Sequence, residues 1–560
     1  MKKIENIYYF TLVFIVLLSS CNLDEKIYDS PMADTYIQSQ SDVPFLMNGL
    51  YAMLSDYGYY KNSMTWLTIY SIGDEGLSTS TSYLSWMNRT FSTGSYQLYQ
   101  NVYFLLINNV NTLIEVLGQL EEGKLSESYK SRILGELHFL RAFTYFNMVR
   151  LFGEVQINTE ATTGDSDFYR KRDSVEDVYK LIFDDFKIAA ENCLPFSAQP
   201  SEEFGRATKG SAQAMLSLAY LTYGNYCDLY KKSQNSAQYY QFAENYADSV
   251  ILSNQYALID NYADLWNVDK EKNAYKEVVF GVQFTRNAST AGNYSKGSEM
   301  AYYLQPNTRN NITGHTANRV GAGTIKIQPW FYDVCSTGDY VNDYRTEVSF
   351  LTSWENTLTG KKYITYPRIR TAANETVEQA PYIDKYKDPK GLDNRTHEND
   401  FFVIRMAEVY LIKAEAENEL NGPTAEAYDA FNKLRERARK ANGTTRTTPA
   451  NLAPGLSKED FRMKVFDERG LELVGEGIRW FDSVRMRYKD NIRPMIRYRF
   501  EEFIPALTMA MPTYDTKTNK WSNGRINPAN VVAFSEKFLL WPICTNELGI
   551  NPDVTQNPGW

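Results

Sequence analysis

Glu468, Glu472 and Glu476 recur at helical spacing, four residues apart. Paired carboxylates are the acid, base and nucleophile of glycoside hydrolysis. Arg469, Arg479, Asp482 and Arg485 are interleaved with them around Gly475 and Gly477. That alternation of sign favours an ion-pair and hydrogen-bond network tying two helices across a turn. The histidines His138, His315 and His397 are far apart in the chain, and His138 lies among large apolar residues, as a packed, hydrogen-bonded histidine would. Cys21, Cys193, Cys227, Cys335 and Cys544 form no CxxC pair, so neither a zinc site nor a redox motif is supported, and the later four are expected as single buried thiols. There is no GxSxG elbow, P-loop or HExxH, and Gly321-Ala322-Gly323 is too incomplete to be informative. No catalytic residue, metal or cofactor is expected.

The aromatic content offers a different chemistry. The chain holds 42 Tyr, 29 Phe and 9 Trp. A flat Trp or Tyr can cover the C–H face of a pyranose ring, while Asp, Asn and Arg bind its hydroxyl rim. Trp66, Tyr70, Tyr83, Trp86, Tyr96, Tyr294, Tyr302 and Tyr303 lie in Ser-, Thr-, Asn- and Gly-rich sequence, and Arg89 and Arg309 could supply guanidinium forks. Taken singly, each aromatic reads as packing under a loop. As a group, one or two are expected to hold ligand.

These side chains need a scaffold, and most of the chain reads as helix. In 131–151, Ile133, Leu137, Leu140, Thr144, Met148 and Leu151 follow one stripe. Ser174 with Asp177 marks a capped start for a helix running to about Asn192, with Pro195 as its stop. Further helices are predicted over 208–230, 236–253, 401–420, 424–440, 459–474 and 476–487. Small residues beside Tyr recur on several of them (Arg141-Ala142 with Tyr145, Ala214 to Tyr220, Ala407 with Tyr410), without a strict 34-residue period. This pattern predicts degenerate tetratricopeptide-like hairpin packing. The stretches 62–100 and 285–400 and the part after Asp490 read as loop-rich, and long irregular segments in a compact body tend to carry function.

The bulk numbers narrow the class. A charged fraction of 23% and a net charge of −9 leave little for a nucleic-acid phosphate backbone to bind. After the N-terminus no apolar run is long enough to span a bilayer. Lys2 and Lys3 precede an eleven-residue segment, Tyr8 to Leu18, apolar except for Thr11, of signal-peptide length. It ends in Leu18-Ser19-Ser20-Cys21, which resembles a lipobox, so residues 1–20 are expected to be removed and Cys21 to be lipidated. Asn22-Leu23-Asp24-Glu25 resembles the surface-export signal of Bacteroidota lipoproteins. Several acyl chains on one residue would hold the body at a membrane surface.

Five patterns carry a family resemblance. They are Gly135-Glu136-Leu137-His138-Phe139-Leu140-Arg141-Ala142 continuing through Leu151-Phe152-Gly153; Gly205-Arg206-Ala207-Thr208-Lys209-Gly210; Asn399-Asp400-Phe401 through Arg405-Met406-Ala407-Glu408-Val409-Tyr410-Leu411; Glu468-Arg469 through Arg479-Trp480-Phe481-Asp482 and Arg485; and Trp541-Pro542-Ile543 with Gln556-Asn557-Pro558-Gly559-Trp560. In this order they resemble the SusD/RagB family of outer-membrane nutrient-binding lipoproteins. Cys544, where a second proline is usual, and Trp560, where Tyr is commoner, depart from the pattern. The resemblance implies a mainly α fold: a TPR-like helix-hairpin superhelix with a loop-rich inserted binding face. It implies a body over 21–560, with an N-terminal helical part at 21–260 and a C-terminal part at 261–560. Asp74-Glu75 resembles the acidic pair after the first family helix, which adds Asp74 to the candidate ligand contacts. The resemblance further implies a SusC-like TonB-dependent barrel as partner, an oligosaccharide ligand, attachment to the outer membrane and no catalysis. Peptide binding, a surface glycoside hydrolase and a scaffold without small ligand are the alternative readings.

Overall fold

The computed structural model describes residues 37–61, 74–78, 97–164, 166–167, 169–232, 235–286, 297–308, 321–391, 396–508, 512–524 and 533–560. Its longer helices are α1 (Val43–Leu54), α2 (Gln97–Gln119), α3 (Glu127–Phe152), α4 (Val175–Asn192), α5 (Lys209–Leu229), α6 (Ser236–Leu252), α7 (Met406–Asn421), α8 (Ala425–Ala438), α9 (Lys458–Glu472) and α10 (Arg479–Arg485). The strands of three or more residues are short: β1 (Gly76–Ser78), β2 (Val278–Val282), β3 (Ile325–Ile327), β4 (Ser353–Asn356), β5 (Lys361–Ile364), β6 (Glu375–Val377), β7 (Phe401–Arg405), β8 (Thr513–Asp515) and β9 (Lys520–Ser522). The fold is mainly α, as the sequence predicts.

Successive helices pack on one another from α2 to α6, α7 lies against α6, and α8 and α9 lie against α7. Local chemistry sets their ends. Ser174 Oγ accepts from the Asp177 N–H to open α4, and Thr208 with Ser211 forms a reciprocal capping box on α5. Gly153, at φ +72°, stops α3. The small residues on the helices are there for close approach. A Cβ on Gly135 would meet Asn192 Cβ at 2.9 Å, and one on Gly224 would meet the Tyr240 ring at 2.8 Å. A glycine against Asn192 seats α3 on α4, and a glycine against the Tyr240 ring seats α5 on α6.

α3 is buried on nearly all sides, so its polar residues need internal partners. Arg141 grips Asp185 of α4 with Nε and Nη2 at 2.7 and 2.9 Å. His138 Nδ1 lies 2.6 Å from the same carboxylate, as expected of a packed histidine. Asn147 donates to the Tyr59 hydroxyl at 2.7 Å. Cys193, Cys227, Cys335 and Cys544 are free, buried thiols.

The predicted helix over 401–420 begins later. Phe401–Arg405 is β7, antiparallel to β2, and α7 starts at Met406. A run of aromatic and β-branched residues buried on both faces is strand chemistry, and it abuts a helix without any turn residue to mark the boundary.

The C-terminal half closes over a buried charge network. Arg405 at the end of β7 binds Glu472 and Glu277 through Nη1 at 2.6 and 2.8 Å and Glu476 through Nε at 2.8 Å. Arg345 reaches Glu468 and Glu472 at 2.7 and 2.9 Å. Arg437 also binds Glu472, and Lys385 binds Glu476 at 2.7 Å. Burial alone would raise the Glu472 carboxyl, but Arg437, Arg405 and Arg345 together hold it well below the usual carboxylate range. Glu468 and Glu472 are 0% exposed and Glu476 is 3% exposed, so none of the three can meet a substrate as they stand.

Candidate functional site around the Asp74 clamp

β1 lies between two stretches that hold predicted ligand aromatics, and it is fastened to the body on three sides. It pairs antiparallel with β3, Gly76 opposite Ile327 and Ser78 opposite Ile325. Gln328 seals the end of this ribbon, its backbone N–H donating to the Glu75 carbonyl at 2.8 Å and its side-chain amide to the Gly76 carbonyl at 3.1 Å. Ile327 N–H in turn donates to the Pro381 carbonyl at 2.8 Å.

Asp74, just before β1, is the anchor. Its Oδ1 accepts from Arg479 Nε at 2.9 Å and its Oδ2 from Arg499 Nε at 2.5 Å. Each guanidinium is itself seated on a ring: Arg479 over Phe466 at 3.7 Å, Arg499 over Phe503 at 3.6 Å. Burial pushes the Asp74 carboxyl up, yet Arg479 and Arg499 outweigh it and hold it at about 2. Asp74 is 5% exposed with both oxygens taken. The expectation that it contacts ligand is therefore corrected: both oxygens face the two guanidinium groups, which anchor the head of β1.

Glu75 contrasts with its neighbour. It is 1% exposed, and neither carboxylate oxygen has a hydrogen-bond partner among the described residues. Burial raises its carboxyl to about 8, against the pull of Arg479. Two adjacent acids thus carry opposite protonation at neutral pH, because one is clamped by arginines and the other is only buried.

Tyr302 and Tyr303 sit on a single helical turn, Met300–Leu304, half-buried, with ring centroids 4.9 Å apart in a T-shape. Sequence placed them in a loop; the turn is helical because Met300, Ala301 and Leu304 bury its inner side. The Tyr302 carbonyl accepts from Ala322 N–H at 2.5 Å, and the Gln305 amide donates to the Ile383 carbonyl at 2.8 Å. Thr308 accepts from Trp354 Nε1 at 2.9 Å through its hydroxyl and from the Asn356 amide at 2.9 Å through its carbonyl. Trp354 stacks on Tyr363 at 5.4 Å and meets Tyr382 edge-on at 5.6 Å, a small aromatic cluster under the loop-rich face. Sequence reasoning missed this cluster, though the alternation of Trp354 and Asn356 with exposed residues in β4 is a readable strand signal.

The remaining predicted ligand residues, Trp66, Tyr70, Tyr83, Trp86, Arg89, Tyr96, Tyr294 and Arg309, lie outside the described residues, as do Cys21 and His315. Among the described residues no group of His, Cys, Asp and Glu has metal-site geometry, and no helix is long and apolar enough to cross a membrane.

With fold and site in hand, comparison with known proteins places the chain. The model of the SusD family matches residues 251–560, and a second model, described as starch-binding and associating with the outer membrane, matches 22–221. A SusD-like protein P2 of Formosa agariphila is 26% identical over 500 residues, covering 86% of this chain and 91% of the relative. A SusD-like protein of Bacteroides ovatus is 22% identical over 387 residues, covering 68% of this chain and 64% of that one. A SusD homolog of Bacteroides thetaiotaomicron superposes with a TM-score of 0.78 at 20% identity, covering 94% and 98% of the two chains. A laminarin-binding SusD-like protein superposes at 0.66 with 23% identity, covering 93% and 100%. The family match spans more than half of the chain, from α6 through the buried charge network to the last residue, and the chain belongs to the SusD family.

Proposed function

We propose that this chain is a surface lipoprotein, tethered to the outer membrane through Cys21, that captures oligosaccharides on its loop-rich face and passes them to a SusC-like TonB-dependent barrel without cleaving them. The observation that carries this reading is the Asp74 clamp. Arg479 and Arg499 fix Asp74 at the head of β1, which lies in sequence between two stretches that together hold Trp66, Tyr70, Tyr83, Trp86 and Tyr96. Aromatic side chains held at a rigid root can stack on sugar rings with little ordering cost. Tyr302 and Tyr303 are proposed to join them, with Tyr294, Arg89 and Arg309 as further contacts. A laminarin-binding relative of the same fold and the description of the family model matching 22–221 as starch-binding and associating with the outer membrane point the same way. The absence of turnover is proposed from the state of Glu468, Glu472 and Glu476, all sequestered in ion pairs.

The test is an immobilised array of oligosaccharides and peptides probed with the mature chain. Retention by a glycan class and not by peptides bears out the reading. Retention by peptides alone overturns it in favour of peptide uptake, and retention by neither overturns it in favour of an assembly scaffold.

A further inference from the structure

Most described cations of this protein are ion-paired, and six that are not lie close together in sequence and fold. Lys361 and Lys362 on β5, Arg368 and Arg370 on the segment that follows, and Lys517 and Lys520 on the β8–β9 hairpin have no carboxylate within ion-pair distance among the described residues. All are exposed except the half-buried Arg370. Arg368, Arg370, Lys517 and Lys520 are contiguous, because the hairpin docks on the segment, and Lys362 joins them across Glu375, which Arg368 also faces, while Lys361 turns to the other side of β5, over the Tyr363 ring. Asn519 donates to the Arg370 carbonyl at 2.6 Å, Arg370 N–H to the Tyr514 hydroxyl at 3.1 Å, and Trp521 Nε1 to the Arg368 carbonyl at 3.3 Å. On the other side β5 pairs with β6, Lys362 opposite Glu375.

Three carboxylates lie in this surface, and two are already engaged. Glu375 Oε2 accepts from the Thr371 and Ala372 N–H groups. Asp515 accepts from Lys517 N–H and from the Thr518 hydroxyl. Glu355, opposite Lys362, is the third. Five cations against three acids give a local surplus of positive charge on a chain whose net charge is −9. The wider sequence has the same bias: the chain's 68 acidic residues skip 300–332 and 516–535 altogether. Such a surplus attracts and orients anionic polymers, and it weakens as salt screens it. The aromatic chemistry is in place as well. Trp521 is half-buried between Tyr366 and Tyr514, at 5.3 and 5.1 Å.

We infer that this face is a subsite for acidic saccharides, in which carboxylate or sulfate substituents meet Lys362, Arg368, Arg370, Lys517 and Lys520 while a sugar ring lies along Trp521. The inference rests on the proposed glycan-binding function and names the class of glycan.

The experiment titrates the mature chain with dextran, dextran sulfate and polygalacturonate at low salt, then at about 0.5 M salt, where the Debye length falls below ~5 Å. A neutral glycan from the array and poly-glutamate are run beside them. The expected result is affinity at least ~10-fold higher for an acidic polymer than for dextran, lost at high salt. Binding of dextran sulfate alone assigns sulfate esters, and binding of polygalacturonate alone assigns uronates; either supports the inference. The triple variant R368E/K517E/K520E should lose that preference, and the neutral variant R368Q/K517Q/K520Q should lose most of it. Both should melt as the wild type does, and both should keep their affinity for the neutral glycan. K180E, on the exposed side of α4, should change nothing. An acidic polymer bound no better than dextran, or a preference that survives the triple variant, overturns the inference. Poly-glutamate bound as tightly with the same sensitivity overturns it in favour of acidic peptides. If a neutral glycan binds and no acidic one does, the subsite fails and the glycan-binding reading stands; if no saccharide binds at all, that reading fails first.

Discussion

Arg479 Nε donates to Asp74 Oδ1 at 2.9 Å across a separation of 405 residues, joining the head of β1 to the helix that follows the buried charge network. The contact ties β1 to the C-terminal part of the chain. Removing one partner of a buried pair leaves the other charge without compensation, at a cost of about 3–5 kcal/mol. Asp74→Ala strands two guanidinium groups. It is expected to lower the unfolding free energy by about that amount in chemical denaturation, and to weaken oligosaccharide binding more than its distance from the ligand would suggest. An Asp74→Ala protein as stable as the wild type would show that the clamp contributes nothing.

Glu75 gives the fold a pH signature. Its carboxyl titrates at about 8 in the folded chain against about 4.5 when exposed. Between these values the folded state holds a proton that the unfolded state has released, so stability falls as pH rises through the window. Glu75→Gln removes the titration. The gain in Tm should be small at pH 5 and grow toward pH 8, as thermal melts across that range would record. Asp74 acts in the opposite sense. Its folded value of about 2 lies below its unfolded one, so its contribution is present above about pH 4 and is lost as pH falls toward 2.

The glutamates at helical spacing separate two readings of this protein. Glu472 is fully buried among Arg345, Arg405 and Arg437. Glu472→Gln is expected to destabilise the fold by about 3–5 kcal/mol in denaturant titration. Oligosaccharide affinity, measured where the variant remains folded, should be unchanged. A stable variant that has lost a hydrolytic activity would instead make Glu472 a catalytic acid.

How much of this was legible in sequence depends on how local the cause is. Ser174 and Pro195 bracket α4 because caps and helix breakers act within a turn of where they stand, and the structure places the helix at Val175–Asn192. Glu468, Glu472 and Glu476 are ion-paired, as the alternation of sign suggests, but not with the arginines beside them in sequence: Arg469 binds Glu408 and Asp482, Arg479 binds Asp74 and Arg485 binds Glu415. Their partners Arg345, Arg405, Arg437 and Lys385 come from elsewhere in the chain, and no spacing announces them. Asp74 was misread for the same reason, since Arg479 and Arg499 reach it only through the fold. β7 was hidden because Phe401–Arg405 runs into α7 with no turn residue between them.

Trp86 tests the loop aromatics directly. It lies outside the described residues and is proposed as a stacking platform. Trp86→Ala should weaken oligosaccharide binding by about tenfold, the equivalent of about 1.4 kcal/mol, while leaving the melting temperature nearly unchanged. Calorimetric titration and a thermal melt of the same sample check both halves. If the variant unfolds, Trp86 belongs to the core and the platform is elsewhere.

The central claim is capture without conversion. An oligosaccharide that binds the mature chain should be titrated to saturation, held for many hours and recovered for mass spectrometry. The account predicts a saturable heat of binding and a ligand recovered at its original mass and chain length. A ligand that comes back shortened, by an amount that scales with protein concentration, would contradict it.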